Sequence, residues 1–170
     1  MIVVSDASIL IGLSSIKRLD LLLKRFPEGI VIPPAVWNEV VEQGKGRAGA
    51  SEVAQADWIR VRDLTNRGIA QLLRMELEQG EVEAIALGYE IGADVILLDE
   101  RDARLAAKQL GLQVLGTVGI LIWAKRAGFI PSLKESLDDL GRIGKFRFSQ
   151  ALYERALMEV GEESDPQSEF

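Results

Sequence analysis

Apolar residues in this chain fall either into short unbroken runs or into longer stretches with helical spacing. The most apolar runs, residues 2–5 and 95–98, are typical of buried strands. Residues 9–26 instead repeat an apolar side chain every three or four positions, which is typical of an amphipathic helix. Strands are predicted at residues 2–5, 29–32, 58–61, 95–98 and 112–115, and helices at residues 9–26, 34–43, 48–56, 66–79, 81–92, 101–110, 118–126, 132–141 and 149–160.

Strands that alternate with helices in this way predict an α/β fold with a parallel sheet covered on both faces. The chain has 170 residues, enough for one domain with a substantial core, and it shows no internal repeat. Residues 159–170 contain five acidic residues and no basic one. We therefore expect a single domain over residues 1–155 and a flexible acidic tail over residues 156–170.

The composition, with 48% apolar and 27% charged residues, is that of a globular protein. Asp6 and Ser8 interrupt the apolar stretch near the N-terminus, which predicts neither a signal peptide nor a membrane span. The chain has no cysteine, so disulfides and thiolate metal sites are excluded, and we expect a cytoplasmic protein.

Histidine is also absent from the chain. This excludes Ser-His-Asp and Cys-His catalysis and the histidine ligands that catalytic zinc prefers. If the protein is an enzyme at neutral pH, its chemistry must come from carboxylates, lysine or a bound metal.

The net charge of −6 and the pI near 4.8 argue against general nucleic-acid binding. The charge is unevenly distributed, however, because five of the acids lie in the last twelve residues. Without them the net charge is about −1, so a basic surface elsewhere on the molecule remains compatible with the composition.

Two acidic residues stand at the ends of the most apolar runs: Asp6 follows residues 2–5, and Asp99 follows residues 95–98. An isolated carboxylate is costly to place beside a core, so this position favours a functional site. In open parallel sheets, ligands bind beyond the C-terminal strand ends, at the point where the strand order reverses. If the first and fourth strands are neighbours there, the two carboxylates meet at one crevice.

Three further acids fall on helices that border the same edge. Asp102 begins the helix after the fourth strand, Glu39 lies on the helix after the second, and Glu81 lies in the first turn of the helix leading to the fourth. Carboxylates gathered in one pocket would repel one another unless a cation neutralised them. Oxygen ligands select Mg²⁺ or Mn²⁺, and such an ion can lower the pKa of a bound water and stabilise a departing oxygen.

Each of these acids also has a plain structural interpretation. The strand-end acids Asp6 and Asp99, and their neighbour Asp102, are suitable helix N-caps. The helix acids would be equally at home in solvent or beside a helix N-terminus, with Glu42 and Glu83 as competitors. The signal therefore lies in the joint placement of these acids at one edge of one sheet.

Basic residues near this edge are candidates for phosphate contacts. Lys45 and Arg47 lie on a glycine-rich stretch that could close over a strand, and Arg101 and Arg104 flank Asp99. Residues 145–148 alternate basic and aromatic side chains, as in a nucleic-acid contact strip. The alternative for each is an ordinary solvated or core residue. The turn at residues 116–119 lacks the lysine and full glycine spacing of a phosphate loop and is typical of a helix cap instead.

Five segments taken together, in their order and spacing, resemble the PIN domain, the nuclease fold of toxin ribonucleases in VapBC-type toxin–antitoxin pairs. The segments are VVSDAS at residues 3–8, IPPAVWNEV at 32–40, GEVEAIAL at 80–87, LLDERDAR at 97–104, and GTVGIL at 116–121 followed by Ala124 and Lys125. The resemblance covers roughly residues 1–155. It implies a three-layer α/β/α sandwich around a five-stranded parallel sheet.

The resemblance also implies a set of acids that bind Mg²⁺ or Mn²⁺ and cut single-stranded RNA. By position these acids are Asp6, Glu39 and Asp99, with Glu81 or Glu83 as the fourth. Glu81 precedes Asp99 by 18 residues, which matches the toxin spacing better. Aspartate is commoner than glutamate at that position in the toxins, so this chain departs from the pattern there.

The sequence thus predicts a metal-dependent endoribonuclease with Asp6, Glu39, Glu81 and Asp99 as catalytic residues and Asp102 as a further ligand. Ser8 is predicted to hydrogen-bond Asp6 or a phosphate. By analogy with the family, a small antitoxin partner and a homodimer are expected. Two other interpretations remain open: a PIN fold that binds RNA or protein without cutting, and a phosphoryl-transfer enzyme of receiver or phosphatase type, in which Lys125 would be the required lysine.

Overall fold

A five-stranded, all-parallel sheet forms the centre of the computed structural model, which describes residues 1–162. The strands are β1 (Val3–Ser5), β2 (Ile30–Ile32), β3 (Ile59–Val61), β4 (Val95–Leu97) and β5 (Val114–Leu115). They are arranged in the order β3-β2-β1-β4-β5. The prediction of an α/β fold with five parallel strands is confirmed.

Helices cover both faces of this sheet. They are α1 (Ala7–Ser15), α2 (Asp20–Arg25), α3 (Pro34–Trp37, continued by a π-helical turn at Asn38–Glu42), α4 (Ala50–Gln55), α5 (Gly68–Leu73), α6 (Gln79–Ile91), α7 (Arg101–Gln109), α8 (Thr117–Arg126), α9 (Leu133–Arg142) and α10 (Gln150–Glu159). None of these helices is long and apolar enough to cross a membrane.

The sheet separates two hydrophobic clusters because successive strand residues point to opposite faces. Val3 and Leu97 join the cluster formed with α1, α2, α8, α9 and α10. Val4 and Ile96 join the cluster formed with α6 and α7. The two clusters give the three-layer sandwich that the resemblance implied.

The strand order reverses at β1, which lies in the centre of the sheet between β2 and β4. Ser5 pairs with Leu97, so β1 and β4 end at nearly the same level. This is the neighbour relation that the sequence required for Asp6 and Asp99 to meet, and it creates a crevice at the C-terminal edge of the sheet.

The single helix predicted over residues 9–26 is wrong, because the chain turns between α1 and α2. Lys17 adopts a left-handed conformation with φ of 59°, and the backbone N–H of Arg18 donates to the carbonyl of Leu13. Both helices pack their apolar faces into one cluster. The helical spacing of apolar residues therefore continues across the break, and the sequence pattern does not reveal it.

The helix predicted over residues 66–79 is also shorter than expected. Only Gly68–Leu73 is α-helical, and the next helix begins at Gln79 rather than at residue 81. Its start is defined by Glu81, whose carboxylate accepts a hydrogen bond from the backbone N–H of Glu78 at 3.2 Å.

Ordered structure continues past residue 155, so the predicted boundary between domain and tail falls inside α10. Ala156 and Leu157 are buried in the core, where they form the apolar face of α10. Glu162 accepts hydrogen bonds from the backbone N–H groups of Leu133 and Lys134. The rest of the predicted tail, residues 163–170, lies outside the described residues.

Candidate active site

Asp6 leaves the end of β1 and enters the crevice almost fully buried, with 3% of its surface exposed. Its Oδ1 accepts a hydrogen bond from the backbone N–H of Ile9 at 3.3 Å, which makes it the N-cap of α1. Its own backbone N–H donates to the carbonyl of Leu97 at 3.1 Å. The helix-cap interpretation is therefore true of Asp6, and the cap holds the carboxylate at the strand reversal.

Asp99 lies two residues beyond β4 and faces Asp6 across a shared hydroxyl. Ser8 Oγ lies 3.1 and 3.2 Å from the two carboxylate oxygens of Asp6 and 3.4 Å from Oδ2 of Asp99. A serine hydroxyl has one proton to donate, so it cannot satisfy both carboxylates at once. The predicted contact between Ser8 and Asp6 is present, and the same side chain links the two strand ends.

Thr117 holds Asp99 from the other side, and the sequence interpretation of residues 116–119 as a mere helix cap did not identify it. Its backbone N–H donates to Asp99 Oδ1 at 2.8 Å, and its Oγ1 donates to Oδ2 at 2.7 Å. Thr117 is fully buried at the start of α8. The available signal was its position directly after the last strand, at the C-terminal edge of the sheet.

Glu81, rather than Glu83, is the α6 carboxylate that lies beside Asp6. The two residues point to different sides of the helix, since two positions correspond to about 200° of rotation. Glu81 is half-buried at the crevice, and its charge helps to raise the pKa of Asp6. Glu83 is buried and accepts a hydrogen bond from Nε2 of Gln79 at 3.2 Å.

Glu39 approaches the crevice from the π-helical turn that follows α3, and it rests on Gly80. A Cβ atom added to Gly80 would lie 2.9 Å from Oε2 of Glu39, so the glycine leaves the space that this carboxylate occupies. Glu39 is exposed to solvent on its other side. π-Helical turns are rare and occur often at functional sites.

The charges of these acids are poorly compensated within the described residues. Burial, together with repulsion by Asp99, raises the pKa of Asp6 to about 8. Burial also raises the pKa of Asp99 despite its hydrogen bonds from Thr117, and desolvation raises the pKa of Glu39 and Glu81. None of the four forms an ion pair with a lysine or arginine in residues 1–162.

Such a donor set fits a hard divalent cation, which would neutralise the carboxylates without offering them a proton. Within the described chain, however, no three of these side chains converge closely enough to ligate a single ion as they stand. Asp6 and Asp99 are held by hydroxyl groups, whereas Glu39 and Glu81 are longer side chains near the surface. Coordination of one ion by all four therefore requires rotation of the glutamate side chains.

Asp102 lies at the rim of the crevice, exposed in the first turn of α7. With Ser8, Glu81 and Asp99 it lines a cavity of about 500 Å³. Asp102 does not cap α7; Glu100 does, accepting hydrogen bonds from the backbone N–H groups of Asp102 and Ala103.

The predicted basic residues divide into two groups. Arg101 and Arg104 line a cavity that includes Asp99, and Arg104 Nη1 donates to the carbonyl of Leu98 at 3.2 Å. Lys45 and Arg47 line a separate cavity with α4, which contains none of the predicted site acids, and Lys45 Nζ pairs with Glu42 at 3.8 Å. That this stretch closes over a strand and contacts phosphate stays a prediction.

Lys125 lies in the last turn of α8, at the opposite end of the helix from Thr117. Its Nζ donates to the carbonyl of Pro131 at 2.7 Å and pairs with Glu162 at 3.7 Å. A receiver- or phosphatase-type centre needs its lysine beside the acids, so these contacts remove the support for that interpretation.

Comparison with known proteins identifies the family and the fold. A family model described as a PIN domain (DUF3368) matches residues 2–162. The chain is similar in structure to a PilT N-terminus domain protein, SSO1118, from the hyperthermophilic archaeon Sulfolobus solfataricus P2; the TM-score is 0.54 at 20% sequence identity, over 73% of this chain and 93% of that one. No curated protein matches this chain in sequence. The family match extends over nearly the whole described chain, and the protein belongs to the PIN-domain family.

Proposed function

We propose that this protein is a Mg²⁺- or Mn²⁺-dependent endoribonuclease that hydrolyses phosphodiester bonds in RNA. PIN domains are generally nucleases and usually use divalent metals. The observation that carries the proposal for this chain is the pairing of Asp6 and Asp99 on one Ser8 hydroxyl at the strand reversal. A protein that only binds RNA gains nothing from keeping two repelling carboxylates together.

The residues have distinct roles in this proposal. Asp6, Asp99, Glu81 and Glu39 would hold the metal, directly or through water, with Asp102 at the rim. When bound, a divalent ion lowers the pKa of the attacking water and stabilises charge on the phosphate. Ser8 and Thr117 orient the two aspartates, and Arg104 provides a positive charge next to Asp99 for the substrate phosphate.

The test is cleavage of labelled single-stranded and structured RNAs by the purified protein in Mn²⁺ or in EDTA. We expect cleavage in Mn²⁺ only, and its loss in the double variant Asp6→Asn with Asp99→Asn. Asp57→Asn, an exposed aspartate ahead of β3, is the matched control and should retain activity. Cleavage that persists in the double variant would locate the activity elsewhere.

Metal binding can be tested without reference to activity. Mn²⁺ should raise the Tm of the wild type, because a ligand that binds only the folded state stabilises it. The double variant should lose this shift. A wild type that binds RNA, but neither gains stability from Mn²⁺ nor cleaves, would favour the non-catalytic binding module.

Family resemblance extends the proposal to a toxin ribonuclease that is inhibited by a small antitoxin protein and forms a homodimer. Expression of the wild type in bacteria should then arrest growth, and the double variant should not. Co-expression of a small protein encoded next to this gene should restore growth.

A further inference from the structure

A second cavity adjoins the acidic crevice, and apart from Asp99 and Arg104 its lining residues have no role in the proposed metal site. It has a volume of about 630 Å³ and lies between α7, the start of α8 and residues 146–148. The two cavities share Asp99, Phe146 and Arg147 in their walls. A chain molecule with one unit at the acids would therefore continue into the second cavity.

The two cavities carry opposite charges. The walls of the crevice contain six carboxylates and one cation, Arg147. The second cavity contains four cations and a single acid, Asp99. The cations are Arg101, Arg104, Lys108 and Arg147. In a protein of net charge −6, this concentration of positive charge is local.

Three of these cations share one face of α7. Positions 101, 104 and 108 differ by three and four residues, and the row extends about 10 Å along the helix. Within residues 1–162 none of the four cations forms an ion pair with a carboxylate. Arg104 Nη1 donates to the carbonyl of Leu98 at 3.2 Å, whereas the side chains of Arg101, Lys108 and Arg147 make neither an ion pair nor a hydrogen bond within these residues and are available to an external anion.

The opposite wall is aromatic and firmly held. Phe146 and Phe148 line the cavity, half-buried, with ring centroids 6.0 Å apart. Phe148 stacks on Tyr153 with an interplanar angle of 5°. The backbone N–H of Phe146 donates to the carbonyl of Leu140 at 3.1 Å, which fixes the segment on the end of α9.

We propose that this second cavity binds unpaired nucleotides of the RNA strand next to the bond to be cleaved. The α7 cations contact successive phosphates, and Phe146 and Phe148 contact a base. This inference rests on the proposed nuclease function, because it continues the strand from the acidic crevice. Base contact with aromatic side chains requires an unstacked base, which a duplex does not offer.

Binding measured in EDTA, where no cleavage occurs, tests the cavity separately from catalysis. The probes are a fluorescein-labelled 12-nucleotide oligouridylate, an abasic strand of the same length and a 12-base-pair RNA duplex, followed by fluorescence anisotropy. Lys108→Glu should weaken the binding of both single strands about 10-fold and reduce the slope of log Kd against log salt by about 0.7 for each lost contact. Lys17→Glu, an exposed lysine after the far end of α1, should change neither.

The aromatic wall has its own pair of variants. Phe148→Leu should weaken oligouridylate binding about 5-fold or more and leave the abasic strand unaffected, because only the base contact is lost. The control is Phe129→Leu, whose ring packs on Trp123 away from the cavity. Thermal unfolding of each variant establishes that it is folded.

The outcomes separate this inference from the nuclease proposal. If Lys108→Glu and Lys17→Glu bind the oligouridylate with equal affinity, the second cavity does not bind the RNA strand, even if the wild type cleaves RNA in Mn²⁺. RNA binding that depends on Lys108 and Phe148 would support the second cavity as the binding site, even if the wild type cleaves no RNA. Equal affinity for the duplex would refute the requirement for unpaired nucleotides, and displacement of the RNA by a 12-residue polyglutamate at the same concentration would identify the occupant as an acidic peptide.

Discussion

At the scale of single residues, two small hydroxyl side chains determine how the aspartates are presented. Ser8 links Asp6 to Asp99, and Thr117 fixes Asp99 through two hydrogen bonds. The aspartates were predictable, because each follows an apolar strand, where an isolated carboxylate is costly to bury. Thr117 was not, since its contact joins residues 18 positions apart and depends on how β5 and α8 meet β4.

The burial of Asp6 predicts how the stability of the metal-free protein depends on pH. Its pKa is about 8 in the folded state, against an ordinary value of 3.8, so between these values the folded state holds a proton that the unfolded state has lost. The free energy of unfolding should therefore fall as the pH rises from about 4 to 8, by at most about 1.4 kcal/mol per unit from this group. Urea unfolding in EDTA at pH 5, 6, 7 and 8 measures this slope.

Asp6→Asn should reduce that slope and make the metal-free protein more stable at pH 8. Asparagine can keep the cap on α1, so the substitution removes the charge without removing the helix contact. Asp57→Asn provides the comparison at an exposed position. If Asp6→Asn leaves the slope unchanged, burial does not raise the pKa of Asp6 in the folded protein.

At the scale of elements, the close approach of α6 to the turn after α3 places Glu39. The sequence predicted one helix over residues 34–43, and nothing in its apolar spacing distinguishes a π-helical turn from an α-helical one. The apolar spacing also continued across the break between α1 and α2. Helical faces could thus be predicted, whereas breaks and bulges within them depend on tertiary packing that the pattern does not encode.

Gly80→Ala should separate stability from activity. The added methyl group would press on Oε2 of Glu39, a flexible carboxylate that can turn away at little cost. Alanine is favoured over glycine within a helix by roughly 0.5–1 kcal/mol, so the Tm should hold or rise. Displacement of one ligand by about 1 Å can reduce a rate by up to about 100-fold, so we expect Mn²⁺-dependent cleavage to fall 10-fold or more.

Gly88→Ala, in the same helix, is the matched control. Its added Cβ would meet Cδ1 of Ile96 at 3.5 Å, an ordinary contact far from Glu39. This variant should gain similar stability and cleave RNA normally. If Gly80→Ala also cleaves normally, the position of Glu39 against Gly80 is not needed for activity.

At the scale of the whole molecule, acidic composition and local charge have to be considered separately. The net charge of −6 argued against nucleic acid, yet the fold gathers acids in one cavity and cations in the next. The sequence revealed both groups of residues, but not that residues 145–148 would lie opposite α7. That juxtaposition arises because α9 packs on α8 and the connection from α9 to α10 then borders β5 and α7.

Glu162 ties the end of α10 to the start of α9. Partial burial raises its pKa, but hydrogen bonds from Leu133 and Lys134 and the charge of Lys125 outweigh that effect, and the net pKa is lowered. A lowered pKa contributes stability that is present above the unfolded-state value near 4.5 and is lost as the pH falls through the folded-state value. Glu162→Gln should therefore cost about 1 kcal/mol at pH 7, or about 2–4 °C in Tm, and the difference from wild type should shrink below about pH 4.

Glu159→Gln is the comparison for that measurement. Glu159 pairs with Arg126 at 3.7 Å, but both side chains are well exposed, and such pairs contribute little. Thermal unfolding at pH 7 should show a clear loss of Tm for Glu162→Gln only, and at pH 3.5 that loss should be smaller. Equal changes in Tm at both positions would mean that the hydrogen bonds from Leu133 and Lys134 to Glu162 add no stability beyond that of an exposed charge.

The central position of β1 has a consequence for how the protein is made. β1 precedes the other strands in the chain, yet the side of it that faces β4 stays unpaired until residues 95–97 have left the ribosome. A nascent chain of half length thus exposes a bare strand edge, which invites association with other chains. Asp6 and Asp99 come together only when that edge closes, so the incomplete polypeptide does not yet contain the carboxylate pair.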